Sequence, residues 1–182
     1  MIYPIVIYGN PVLAKPAKNL EKDYPGLENL VNDMFSTLTK ADGVGLAAPQ
    51  IGLPLNLFVV DLSPLEEDDP SFKDYKKVFI NAEIISYGEE TDSYDEGCLS
   101  LPGISESVKR PTSITIRYFD EKWQEHEETI SGFPARAIQH EYDHTRGHVF
   151  VDRINPVRRQ MISSKLAALK KGKIKCRYKY AR

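Results

Sequence analysis

The sequence predicts an α+β fold, with mostly antiparallel short strands packed around a central helix, one helix before it and one near the C-terminus. Three observations predict it. Apolar residues recur at helical spacing early in the chain, several short runs have strand-like composition, and two later segments carry helix start and stop signals. With 182 residues the chain is most simply one domain, 1–182, long enough for a real core, with a basic C-terminal helix and tail at about 155–182.

The first helix is read from Gly26 to Lys40, where Leu27, Leu30, Val31, Met34 and Leu38 fall on one face. A glycine-rich loop follows, from Asp42 to Gly52. Leu55–Leu62 and Val78–Tyr87 read as strands, separated by an acidic, proline-bearing surface loop at Ser63–Pro70. Glu96–Gly103 reads as a turn region. Ile114–Phe119 alternates as a strand should, and Glu125–Ile130 pairs with it through Asp120–Gln124. The central helix starts near Phe133-Pro134, with Ser131 as a candidate cap, and Gly147 stops it. A last helix is expected from Asn155-Pro156 to Lys171, ended by Gly172, with Ile174–Tyr180 as a closing strand.

Composition narrows the function classes. The chain is 41% hydrophobic and 27% charged, which favours neither disorder nor a membrane protein. No run approaches the roughly 18 apolar residues of a membrane helix. Met1–Ile7 lacks a basic flank and a cleavage-like site and reads as mature sequence. Two cysteines, Cys98 and Cys176, are too few for a disulfide framework; a reducing, cytoplasmic setting fits. Charge is polarised: residues 153–182 hold eleven Lys or Arg and no acid, whereas 1–152 carry a net −13. An anionic partner such as RNA is one reading of that end, and a solvated face balancing an acidic body is the other. Nothing points to a membrane or to sequence-specific DNA.

The segment Gln139-His140-Glu141-Tyr142-Asp143-His144 carries the most chemistry. On a helix, four residues advance about 6 Å and return to nearly the same face. Both imidazoles can then grip one metal ion, with Glu141 beside it as a proton carrier. A catalytic site needs a third ligand and an open position. His148 lies beyond the Gly147 break, His126 in a polar strand, and Cys176 in the basic tail. Cys98, in a turn flanked by glycine and proline, is the better choice, although an isolated cysteine is also a common small core residue. Glu141 and Asp143 read alternatively as helix-surface charge, and Asp143 as a partner that orients an imidazole.

The eight residues from His140 to Gly147 follow the elongated metzincin pattern, but the third histidine is replaced by Phe150. A gluzincin needs a downstream carboxylate, and only Asp152 follows His144. Gly43-Val44-Gly45 lacks the letters of a phosphate loop; its glycines allow a ligand close to the backbone, and an extended peptide can pair there as an added strand. Gln50 is an uncharged amide donor suited to a developing oxyanion. The loop also reads as a plain structural turn. A metallohydrolase, a zinc endopeptidase with another third ligand, and a ribosome-associated protein with a structural metal all stand open at this point.

Three segments taken together resemble one family. Gly43-Val44-Gly45-Leu46-Ala47-Ala48-Pro49-Gln50, Glu96-Gly97-Cys98-Leu99-Ser100 and the histidine segment match, in order, the GxGxAAxQ, EGCLS and HExDH motifs of the peptide deformylases. The resemblance spans most of the chain and departs at no motif letter; Thr145 stands where leucine is common. It implies one divalent ion held by Cys98, His140 and His144 with water as fourth ligand, ferrous iron being usual and zinc, nickel or cobalt able to occupy the site. It implies that the metal-bound water attacks the formyl carbon, with Glu141 as general acid/base and with Gln50 and the Leu99 N–H on the oxyanion. The implied substrate is an N-formylmethionyl nascent peptide, released as formate and a free amino terminus in the bacterial cytoplasm. Phe133 and Ala137 precede His140 by seven and three residues on one helix face, and with Val44 opposite they would line a pocket for the methionine side chain. Gly45 and Gly97 would leave room for the peptide backbone. The basic tail would suit docking on the ribosome.

Overall fold

Strand β3 shows why the chain folds as it does, because its apolar run has no polar face. The computed structural model describes residues 1–182. In chain order its helices and strands are β1 (Ile5–Val6), α1 (Leu27–Ala41), β2 (Gly45–Ala47), β3 (Leu57–Asp61), β4 (Lys76–Tyr87), β5 (Thr91–Gly97), β6 (Ser105–Pro111), β7 (Ser113–Phe119), β8 (Glu125–Ser131), α2 (Phe133–Thr145), α3 (Pro156–Met161), α4 (Ser163–Lys170) and β9 (Tyr180–Ala181). A five-stranded antiparallel sheet runs in the order β2-β3-β4-β7-β8. Successive side chains of β3 point to opposite faces. Leu57 and Val59 pack with α1, through Leu30, Met34 and Leu38. Phe58 and Val60 pack with α2, through Ala135 and Ile138. Both faces of the strand are covered, so it carries no alternation.

Helix α1 matches its expected face: Leu27, Leu30, Val31, Met34 and Leu38 are all buried. On the opposite side of the sheet, Phe58 stacks on Phe79 at 4.7 Å, and Phe79 meets Tyr118 at 4.4 Å. The β7–β8 hairpin forms where alternation placed it and turns at Asp120, whose carboxylate accepts from the Lys122 and Gln124 N–H groups. The segment after β3 forms two short 3₁₀ turns, at Ser63–Leu65 and Pro70–Phe72.

A second, two-stranded sheet pairs β5 with β6, placing Gly97 opposite Ser105. It is the principal element the sequence pattern missed, since the inward residues Glu96, Glu106 and Arg110 are polar. A third core cluster lies under it, joining Leu101, Ile104 and Val108 to Phe150, Ile162, Leu166 and Leu169.

Four boundaries differ from expectation. The residue before α2 is Gly132, and no side chain caps this helix end, so Ser131 belongs to β8 instead. The expected last helix is two helices that meet at Ile162. Arg158 ties α3 to Glu106, whereas Leu166 and Leu169 bury α4, and the turn at Ile162 satisfies both anchors. The closing strand is shorter: only Tyr180–Ala181 pairs, and it pairs parallel, with β1. The turn region from Glu96 begins inside β5, which runs to Gly97. Asn155 caps α3 as its position suggests, accepting from the Val157 N–H at 2.8 Å.

Candidate active site

Helix α2 runs along the buried face of the large sheet, so its inward side chains meet protein rather than water. His140 and His144 lie on one face with ring centroids 5.3 Å apart. The strand-to-turn junction after β5 brings Cys98 to them, with its Sγ 3.3 Å from His144 Nε2. One donor atom from each of Cys98, His140 and His144 falls within 4.8 Å of the others. Bond lengths of about 2.1 Å to nitrogen and 2.3 Å to sulfur place tetrahedral neighbours roughly 3.6 Å apart. The three donors therefore fit a single divalent ion. Their chemistry fits as well: borderline-soft N and S ligands suit zinc, iron, nickel or cobalt.

Glu96 organises this group. It is buried at the end of β5 and accepts from His140 Nδ1 at 2.8 Å. Arg110 grips it with two bonds, Nε at 2.6 Å and Nη2 at 3.0 Å, and Arg136 adds a third at 2.8 Å. Arg110 also reaches Asp143 at 2.9 Å, and Arg153 pairs with Asp143 from the rim. Burial alone would raise the Glu96 pKa, but hydrogen bonds from His140 and Arg110 outweigh it and hold the carboxyl down at about 2. Burial opposes charge on His140, yet hydrogen bonds with Cys98 and Glu96 raise its pKa well above the ordinary value. Burial and His140 hold His144 well below its ordinary value, which leaves a neutral ring with a lone pair for a ligand bond. The Glu96 contact presents His140 through Nε2, an arrangement that fixes ring orientation in metal sites. The sequence offered Asp143 as one candidate for that orienting role, beside plain helix-surface charge; it instead anchors arginines.

Glu141 is buried beside the ligands, and its Oε2 has no hydrogen-bond partner. Burial pushes its pKa up to about 7. Gly45 explains how the strand fits against it: a Cβ there would stand 2.4 Å from Glu141 Oε1. The missing side chain of Gly45 thus makes room for the glutamate, while a Cβ on Gly97 would meet nothing closer than 3.8 Å. Gln50 is buried in the 3₁₀ turn Ala48–Ile51 that follows β2. Its Oε1 accepts from the Ala47 N–H at 2.8 Å, and this aims Nε2 at Cys98 Sγ (3.4 Å) and Ser100 Oγ (3.3 Å). The Leu99 N–H has no acceptor within the chain.

A cleft of ≈ 790 Å³ opens over these groups. Val44, Gly45, Gln50, Gly97, Cys98, Leu99, Phe133, Ala137, His140 and Glu141 all line it, so every expected site residue except the fully buried His144 reaches its surface. Tyr94 meets Phe133 edge-on at 5.9 Å at its mouth. Residues Lys175–Tyr178 of the tail form part of its wall, which sequence reasoning did not foresee. Among the rejected ligands, His126 bonds Asp120 and His148 lies exposed near Asp152. Cys176 lines the cleft outside the ligand group. The helix pattern identified the histidines, whereas Arg110, Arg136 and Tyr178 carried no local signal.

Three converging ligands, a buried carboxylate and an unpaired backbone donor, set in the floor of a peptide-sized cleft, define a class: hydrolases with a three-ligand metal centre. Comparison with known proteins narrows the class. Residues 2–160 match the family model described as polypeptide deformylase. A peptide deformylase of Christiangramia forsetii is 49% identical over 98% of this chain and 95% of its own, and one of Cytophaga hutchinsonii is 45% identical over 98% and 96%. The crystal structure of peptide deformylase from Thermus thermophilus superposes with TM-score 0.84 at 38% identity, covering 94% of this chain and 99% of that one. The chain belongs to the polypeptide deformylase family, enzymes that act on formylated nascent peptides.

Removing Arg110 leaves two buried carboxylates short of a partner. Arg110→Leu is expected to lower stability by about 3–5 kcal/mol in urea unfolding with chelator present, and Arg110→Lys, which lacks the fork, is expected to recover little of it. A loss below about 1 kcal/mol would show that the network is not structural.

Proposed function

We propose that this enzyme removes the formyl group from the N-formylmethionine of new polypeptides, through a divalent ion held by Cys98, His140 and His144. The observation that carries this reading is the convergence of those three donors beside a buried carboxylate oxygen without a partner. A bound divalent ion, ferrous iron in the first place and zinc, nickel or cobalt alternatively, supplies Lewis acidity and lowers the pKa of water.

The chain's own residues do the rest. Glu141 Oε2 takes the proton of the attacking water and delivers it to the leaving nitrogen. Gln50 Nε2 and the Leu99 N–H donate to the oxygen on which charge develops. Gln50 can turn to this task cheaply, because its present bonds to Cys98 and Ser100 are long. Val44, Phe133 and Ala137 supply the apolar wall for a methionine side chain. Strand β2 is the sheet's edge, with β3 on one side only, so the peptide backbone can pair along Gly45 as an added strand. Gly97 leaves the facing wall open.

Cytoplasmic action on nascent chains, with the ribosome as a partner, fits the basic C-terminal segment. No helix is long and apolar enough to cross a membrane. Arg153, Arg158 and Arg159 are engaged with Asp143, Glu106 and Asp152. Lys165, Lys171 and Lys173 are exposed and free of ion pairs, which leaves them available to an RNA backbone. Deletion of the segment is the wrong test, because Ile162, Leu166 and Leu169 belong to the core.

Two measurements check the proposal. Glu141→Gln is expected to keep its metal but lose ~10²–10⁴-fold in formate release from a formyl-Met peptide, and Cys98→Ser to lose metal affinity as well; full turnover by Glu141→Gln would reject the mechanism. Charge reversal at Lys165, Lys171 and Lys173 is expected to weaken ribosome co-sedimentation by at least about tenfold and to flatten its salt dependence. Unchanged sedimentation would remove the docking role.

A further inference from the structure

The tail after α4 crosses the mouth of the site as a strap. From Lys173 to Tyr178 its residues alternate, with Lys173, Lys175 and Arg177 exposed and Ile174, Cys176 and Tyr178 turned inward. Both ends of the strap are fixed. At the near end Ile174 packs with the core cluster of α4. At the far end the Lys179 carbonyl accepts from the Ile5 N–H at 2.9 Å, and the Ala181 carbonyl from the Ile7 N–H at 2.9 Å. Ile5 and Ile7 are themselves fully buried, so this end is anchored in the core.

Tyr178 sits between these anchors. Its ring packs against the α1 cluster together with Leu99, and its hydroxyl donates to the Leu99 carbonyl at 2.6 Å. That carbonyl shares one rigid peptide plane with the Ser100 N–H. The Ser100 N–H faces Cys98 Sγ at 3.4 Å. Tyr178 therefore grips one end of a plane whose other end touches the ligand sulfur. The Leu99 N–H belongs to the preceding peptide plane, Cys98–Leu99, and is not turned by it.

We propose that Tyr178 is a positioning residue: its hydroxyl holds the Leu99–Ser100 peptide plane, and through it the Ser100 amide that faces the Cys98 sulfur. The tail is then a built part of the active site as well as a charged surface. The inference rests on the deformylase reading for its kinetic arm, but its structural arm is independent.

Tyr178→Phe removes the hydroxyl and keeps the ring. In zinc-loaded enzyme, kcat for a formyl-Met peptide is expected to fall ~3- to 10-fold, with KM changed less than about twofold, since the peptide-binding wall is retained. Amide exchange followed by NMR should accelerate by a similar factor at Ser100, whose N–H faces the sulfur, while the amides of α2 keep wild-type rates. Unchanged kcat with unchanged exchange overturns the proposal. So does a fall in kcat without faster exchange at the Ser100 amide, or a general acceleration across the fold, which marks a merely structural role. If wild-type enzyme releases no formate, the deformylase reading fails instead, and exchange at Ser100 still decides whether Tyr178 holds the plane.

Discussion

One buried carboxylate holds this site together. Glu96 is the penultimate residue of strand β5, two residues before Cys98, and it binds His140, Arg110 and Arg136 at once. A carboxylate taken out of water is costly unless its lone pairs are filled, and here two guanidinium groups and an imidazole fill them. The same contacts join three separate parts of the chain. Through Arg110 the β5–β6 hairpin is tied to Asp143 of α2, and through His140 it is tied to the metal face of that helix. The turn carrying Cys98 is thereby kept in register with the two histidines. A hairpin free to slide would carry the sulfur away from them.

The remaining parts of the fold serve that junction from opposite sides. The large sheet buries α2 against Phe58, Val60 and Phe79, which fixes where the histidines face. Edge strand β2 closes on Glu141, and only a glycine at position 45 allows it. From the other direction, α4 and the tail cover the small sheet and return to β1, and the Tyr8 N–H meets the Ser100 carbonyl at 2.9 Å. The result is a reaction centre enclosed by rigid elements, with its opening along the β2 edge and the Tyr94–Phe133 mouth. Such enclosure strengthens every electrostatic contact within it.

Much of this was legible in the sequence, for physical reasons that differ by residue. The histidine pair and Glu141 were visible because helical spacing is a strong local signal, and α1 because its apolar face is regular. Cys98 stood out by its turn between glycine and proline and Gln50 as an uncharged amide donor, and the order of three short motifs joined them to the histidines. Glu96 stood inside one of those motifs, but its task could not be read, since its partners Arg110 and Arg136 lie 14 and 40 residues away. The β5–β6 hairpin escaped because its inward face carries charge, which inverts the usual alternation. The break at Ile162 escaped because a helix pattern does not tell which long-range anchor each half obeys. The role of the tail escaped because it depends on a parallel pairing between the two ends of the chain. Gly45 lines the cleft as expected, and the packing adds a second reason for it that the sequence could not show: its absent Cβ accommodates Glu141.

The central claim is that Glu96 holds the ligands in the geometry a metal needs. The direct measurement is the metal dissociation constant of Glu96→Gln, obtained by competition with a chelator on protein whose far-UV spectrum matches wild type. The account predicts affinity weakened ~10- to 100-fold. Affinity equal to wild type in a correctly folded variant would contradict it.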